Sequence, residues 1–158
     1  MAKHFDDINV NIEKETDDFI KVIAEPFERG HGVTIGNALR RSLLTSIPGS
    51  AITSLHIEGV SHEFTNIKGV KEDISDIILN LKDVRFKAVS DGPELTSITL
   101  DGPCDFTGSD IAKTLAEFEV LNPDIHIATI TDKVSLSIDL RVSRGKGYTP
   151  AENNKRKD

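Results

Sequence analysis

Three glycines stand close together ahead of a periodic apolar segment, in the spacing Gly30-x-Gly32-x-x-x-Gly36. Glycine-rich turns at helix N-termini can bind phosphate, because the backbone approaches the ligand closely and the helix end attracts anions. A dinucleotide site needs G-x-G-x-x-G and a P-loop needs G-x-x-x-x-G-K-[ST], and neither pattern is present. The spacing therefore favours a close-packed turn, with a small nucleotide-binding enzyme as the alternative.

The residues that could ligate a metal or act as nucleophiles lack the spacing that these reactions need. The 5 histidines form no H-x-x-x-H or H-E-x-x-H pattern. Cys104 is the only cysteine and has no general base nearby in the sequence, so it is interpreted as a small, partly buried thiol that forms no internal disulfide. No G-x-S-x-G motif occurs. We expect no catalytic residue, no metal site and no cofactor on this chain.

The segment from Thr34 to Ser46 predicts a helix. Thr34 can cap its N-terminus, and Pro48-Gly49 would end it because both residues continue helices poorly. When the segment is projected at about 100° per residue, one side carries apolar and small residues within roughly 80° of Ile35. This pattern predicts a packing stripe made of Ile35, Ala38, Leu39, Ser42, Leu43 and Ser46.

The opposite side of the same predicted helix combines one apolar residue with two cations. Relative to Ile35, Leu44 lies at about 180°, with Arg40 at about 140° and Arg41 at about 240°. Single exposed leucines are common on protein surfaces, but an apolar anchor beside arginine is also typical of protein interfaces. The side is therefore a candidate partner-binding surface.

The remaining segments predict an α+β fold with mainly antiparallel sheets. A second helix is expected from Val70 to Asp83, and a short one from Ser109 to Leu115. Period-two alternation predicts a half-buried strand over residues 53–58 and another over residues 134–142. Two hairpins are expected: residues 84–89 with 95–100, and residues 125–130 with 134–142. Weaker alternation at residues 8–12 favours an edge strand or a loose arm.

Composition limits the class of protein. The chain has 158 residues and a formal net charge of −7, which disfavours direct binding to DNA or RNA because like charges repel. The N-terminus lacks the apolar core of a signal peptide, and no run approaches the ~20 apolar residues of a membrane span. A cytoplasmic protein is therefore expected.

Residues 25–44, EPFERGHGVTIGNALRRSLL, closely resemble the signature of the bacterial RNA polymerase alpha subunit. Four further blocks in the same order resemble that family: residues 69–73, 78–82, 118–124 and 144–152. The resemblance implies a subunit of DNA-directed RNA polymerase, a nucleotidyltransferase that acts in transcription. In this family the alpha subunit dimerises and nucleates assembly of the beta and beta-prime subunits without supplying catalytic residues.

The resemblance also implies a division of the chain and a role for particular residues. Residues 1–48 match the opening part of a split dimerisation domain, and residues 49–158 match an insert domain. The positions of Arg41 and Leu44, with Arg40 beside them, match beta contacts, and Lys82 matches a beta-prime contact. The stripe through Ile35 would face the second alpha subunit. Because the family's later segment of the dimerisation domain would be needed to pack against residues 1–48, we expect weak or non-native dimerisation of this chain alone. A standalone interaction module is a further alternative.

Overall fold

The computed structural model describes residues 8–16 and 19–154. Residues 1–7 and 17–18 of the expected segment 1–48, and residues 155–158 of the expected segment 49–158, lie outside the described residues. The chain divides into two compact units, Met1–Ser46 and Ile47–Asp158. Both contain antiparallel strands together with helices, which confirms the predicted α+β class. In the described part of the chain, no helix combines the length and the apolar character needed to cross a membrane.

The first unit contains a hairpin and one helix. Strands β1 (Asn9–Glu15) and β2 (Ile20–Glu25) pair antiparallel, with a register shift between Ile12 and Lys14. Helix α1 spans His31–Ser46. No residue in the described part of this unit is buried, so its apolar side chains are solvent-exposed or only partly covered.

The second unit is built on a five-stranded antiparallel sheet in the order β5-β9-β3-β4-β7. These strands are β3 (Pro48–Ile57), β4 (Phe86–Ala88), β5 (Glu94–Asp101), β7 (Phe118–Val120) and β9 (Ser135–Lys146). A two-stranded sheet pairs β6 (Cys104–Thr107) with β8 (His126–Ile130). The helices are α2 (Ile74–Lys82), α3 (Gly108–Ala112) and the short α4 (Ala151–Asn154).

Strand β9 lies inside the sheet and organises the core. Its residues Leu136, Ile138, Leu140 and Val142 are buried and alternate with polar residues, which confirms the period-two prediction for this segment. One continuous apolar cluster joins this face to α2, α3 and the β6–β8 pair. The side chains that are almost completely inaccessible to solvent include Ile77, Phe106, Ile111, Ile127 and Ile130.

Both predicted hairpins are wrong in their pairing. Strand β4 pairs with β3 and β7, whereas β5 pairs with β9, so the strands on either side of the turn at residues 90–93 separate. Strand β8 pairs with β6, and β9 pairs with β3 and β5. Strands adjacent in sequence were expected to pair because short turns usually join neighbouring strands. In the structure β9 has β3 along one edge and β5 along the other, so neither edge is left for β8.

The second and third helices are shorter than predicted. Asp73 caps α2 by accepting a hydrogen bond from the Asp76 backbone N–H at 2.8 Å, so the helix begins at Ile74 instead of Val70. Val70 instead forms a β-bridge with Ile130. Helix α3 begins at Gly108, because Thr107 and Asp110 form a capping box whose first residue lies two positions before the expected start at Ser109. It ends at Ala112, three residues before the expected end.

Candidate partner-binding surfaces

Helix α1 begins at His31, three residues before the predicted cap at Thr34. Gly30 has φ of 93°, a left-handed conformation that glycine adopts without strain, and it lets the chain turn into the helix. Gly32 and Gly36 therefore lie inside α1, and no atom outside the local helix backbone lies within 4 Å of a Cβ built on either residue. The predicted close-packed turn is wrong for these two glycines, and they form no phosphate-binding loop.

The outer side of α1 carries Arg40, Arg41 and Leu44, which we call the α1 surface. All three are exposed, with Leu44 at 65%. Neither arginine forms an ion pair with any described residue. An apolar side chain and two cations with no partner inside the described chain form a surface that a protein carrying apolar and acidic groups could cover.

The opposite side of α1, the predicted packing stripe, is also uncovered. Leu39 and Leu43 are each 60% exposed, and Ile35 is partly buried. Ala38 and Ser42 are exposed too. The helix therefore exposes its apolar stripe to solvent, which is unusual for a helix that completes its packing within one chain.

Lys82 occupies the last turn of α2, at the start of a segment that we call the Lys82 turn (residues 82–85). Leu81 and Val84 beside it are buried and fix the segment on the core, while Lys82 and Arg85 are exposed. Nη1 of Arg85 donates a hydrogen bond to the Lys82 carbonyl at 3.0 Å, so the guanidinium covers the end of the helix. Cations are favoured there because the helix C-terminus carries partial negative charge.

Two asparagines hold the Lys82 turn against the second half of the unit. Asn80 Nδ2 donates to the Ile127 carbonyl at 2.9 Å. The Asn122 carboxamide is bidentate, since Oδ1 accepts from the Arg85 N–H at 2.8 Å and Nδ2 donates to the Asp83 carbonyl at 2.9 Å. Sequence reasoning missed both residues. Asn122 lies in one of the blocks that carried the resemblance, but its partners lie about 40 residues away in sequence.

Glu72 ties the segment before α2 to strand β8. Its Oε2 accepts a hydrogen bond from the Thr129 N–H at 2.7 Å, and its Oε1 lies 3.0 Å from Nε2 of His126. Burial by itself would raise the pKa of the Glu72 carboxyl, but these hydrogen bonds outweigh burial and hold the pKa below its usual value. The ionised carboxylate therefore stabilises the fold.

Replacing Glu72 with glutamine is expected to lower the free energy of unfolding at neutral pH by about 1–2 kcal/mol, because a charged acceptor of two hydrogen bonds becomes neutral. The folded chain has the lower pKa, so this contribution is complete above the ordinary pKa of 4.5 and is lost as the pH falls through the folded value. Urea unfolding at several pH values measures it. The two proteins should converge in acid, whereas the exposed Glu58→Gln control should match the parent throughout; a difference that persists unchanged to about pH 3 would contradict this.

The remaining candidate residues form no reactive group. Cys104 is a partly buried free thiol, and burial together with the nearby carboxylates of Asp110, Asp105 and Asp101 raises its pKa, which disfavours the thiolate. Within residues 8–16 and 19–154, no three histidine, cysteine, aspartate or glutamate side chains come together as a metal site would require.

The fold and its exposed surfaces define an α+β chain that has one well-packed unit and one unit with uncovered apolar sides. The model of the RNA polymerase Rpb3/RpoA insert domain matches residues 55–158, about two thirds of the chain. The chain therefore belongs to the RNA polymerase Rpb3/RpoA insert domain family.

Curated relatives extend the similarity into the first unit. A DNA-directed RNA polymerase subunit alpha from Chloroherpeton thalassium is 56% identical over 135 residues, which cover 85% of this chain and 41% of the relative. The corresponding subunit from Pelodictyon phaeoclathratiforme is 53% identical over 148 residues, covering 94% and 45%. The one from Chlorobaculum tepidum is 52% identical with the same coverage. The predicted resemblance to the alpha subunit is confirmed, and the chain spans less than half the length of these relatives.

Proposed function

We propose that this chain acts as the N-terminal part of an RNA polymerase alpha subunit, a non-catalytic scaffold on which the beta and beta-prime subunits assemble. The observation that carries the proposal is the similarity to alpha subunits across both units, since it covers 94% of this chain in two relatives. The polymerase complex, rather than the chain by itself, would then perform nucleotidyl transfer in transcription.

The proposed division of labour follows the two units. Residues 1–48 would contribute to the alpha dimerisation domain, and residues 49–158 would form the insert domain. The exposed stripe of α1 supports a dimer-facing role, because Leu39 and Leu43 are 60% exposed and would be covered by a second alpha subunit. The dimer-facing residues of the stripe would be Ile35, Ala38, Leu39, Ser42 and Leu43.

We further propose that beta binds the α1 surface and that beta-prime binds at Lys82. Leu44 would be the apolar anchor of the beta contact, with Arg40 and Arg41 pairing with carboxylates at its rim. The support is physical as well as by resemblance: these side chains are exposed, and neither guanidinium is neutralised by another described residue. The nucleotide-binding alternative has less support, because Gly32 and Gly36 lie within α1.

Replacing Arg41 or Leu44 with alanine is expected to weaken beta binding by roughly tenfold to a hundredfold, the loss of an interface hot spot. Both residues are exposed, so the melting temperature should stay unchanged. Purified beta captured on the immobilised chain measures the affinity. Leu95→Ala is the matched control, since Leu95 is 66% exposed, much like Leu44, and lies on β5 in the other unit. Beta binding that survives in both variants would refute the assignment.

A further inference from the structure

The carboxamide of Asn122 replaces backbone groups in a sheet. Strands β4 and β7 pair from Phe86 with Val120 to Ala88 with Phe118. One residue beyond that ladder, the Leu121 N–H donates to the Arg85 carbonyl at 2.9 Å. At the next position the side chain of Asn122 replaces the backbone, since its Oδ1 accepts from the Arg85 N–H and its Nδ2 donates to the Asp83 carbonyl. Three hydrogen bonds thus extend the pairing back to Asp83, next to Lys82.

Three residues, Asp83, Arg85 and Asn122, hold the chain where α2 ends. The Asp83 N–H bonds back to the Asn80 and Leu81 carbonyls, which closes the helix. Arg85 then returns over the turn to the Lys82 carbonyl. If Asn122 did not hold the Asp83 carbonyl and the Arg85 N–H, two backbone groups would lose their partners in the segment that carries Lys82. The turn that follows Lys82 is therefore tied to a residue 40 positions from it in the sequence.

We infer that Asn122 is a positioning residue for the beta-prime contact: it fixes the Lys82 turn so that the Lys82 ammonium meets a carboxylate of beta-prime. The inference rests on the proposed function, in which Lys82 contacts beta-prime. A carboxylate is the group that fits, because Lys82 is exposed and has no ion-pair partner among the described residues, whereas the Arg85 guanidinium already lies 3.7 Å from the Asp83 carboxylate. Holding the turn in one conformation removes an ordering cost from binding.

Asn122→Ala is expected to weaken beta-prime association about tenfold, because it removes the two hydrogen bonds that hold the Lys82 turn in one conformation. Association of beta with the α1 surface should be unchanged, because that surface lies in the other unit. Asp124→Ala, an exposed change in the same loop, is the matched control and should bind both subunits like the parent. The assay uses the 158-residue chain with purified beta and beta-prime.

Amide hydrogen exchange separates positioning from general stability. The Arg85 N–H should exchange faster in Asn122→Ala, whereas Asn122→Asp keeps an acceptor for it but sets a second acceptor oxygen against the Asp83 carbonyl in place of the donor. Asn122→Asp should therefore keep Arg85 protected and bind beta-prime with intermediate affinity. It also serves as the informative variant if Asn122→Ala does not fold.

Lys82→Gln in the same assay distinguishes the two hypotheses. If Lys82→Gln loses beta-prime while a folded Asn122→Ala with fast Arg85 exchange binds normally, the positioning role is overturned and the Lys82 contact stands. If Lys82→Gln binds beta-prime normally, or if the parent chain captures no beta-prime, the proposed contact fails and the inference fails with it. Equal loss of beta and beta-prime in Asn122→Ala would also overturn a specific positioning role.

Discussion

Replacing Phe106 with alanine is expected to lower the free energy of unfolding of the second unit by about 3–5 kcal/mol, the usual range for removing a buried aromatic ring. Phe106 has no solvent exposure and lies at the centre of β6, where it pairs with Ala128 of β8. It belongs to the apolar cluster that joins the two sheets, so its loss leaves a cavity that the surrounding strands cannot fill. Urea unfolding followed by circular dichroism measures the change.

Phe64 provides the matched control for this substitution. Its side chain is 81% exposed, so Phe64→Ala changes the same side chain without opening a cavity. The free energy of unfolding of this variant should stay within about 0.5 kcal/mol of the parent. Similar losses in the two variants would contradict the assignment of Phe106 to the core.

Replacing Gly102 with alanine is expected to destabilise the second unit by about 1–3 kcal/mol or more, as overpacking of a closed site does. A Cβ at this position would lie 2.2 Å from the carbonyl oxygen of Asp132 and 2.4 Å from Cγ2 of Ile130. Neither can retreat easily, because the Asp132 carbonyl accepts a hydrogen bond from the Val134 N–H at 2.8 Å and Ile130 is buried. The alanine side chain would fit only if the backbone at residue 102 or at Asp132 shifted.

Gly145→Ala separates this steric effect from the general consequence of replacing glycine. Gly145 lies in β9 opposite Gly49, and no atom lies within 4 Å of a Cβ built there. Because alanine restricts the unfolded chain more than glycine does, Gly145→Ala should be neutral or slightly stabilising. Thermal unfolding of both variants checks the contrast. A melting temperature for Gly102→Ala equal to that of Gly145→Ala would show that the site can expand.

Local patterns in the sequence predicted those strands and helices in which buried and exposed residues alternate regularly along a single segment. The alternation over residues 134–142 identified the inward side chains of β9, and the helix predicted for residues 70–83 contains α2. Both predictions depend only on the geometry of a single strand or helix. The boundaries were less accurate, because caps at Asp73 and Thr107 start the helices at positions that periodicity does not reveal.

Local patterns in the sequence did not predict which strands pair with each other. Each hairpin was predicted from a short polar turn between two apolar runs, but β9 has β3 on one side and β5 on the other, and both are far from it in sequence. Which strands meet depends on the burial of the whole apolar cluster, a property of all segments together. The short strands β6 and β7 escaped prediction because three or four residues contain too few alternations.

The sequence by itself determined the α1 surface and the relationship to alpha subunits. Three side chains on one helix share a face because 3.6 residues make a turn, whatever else the chain does. Only the tertiary structure decided how Lys82 is held, since Asn122 reaches the Lys82 turn through pairing of β4 with β7. A hydrogen bond between residues distant in sequence has no local signature, so its partner becomes visible only when the sheet is assembled.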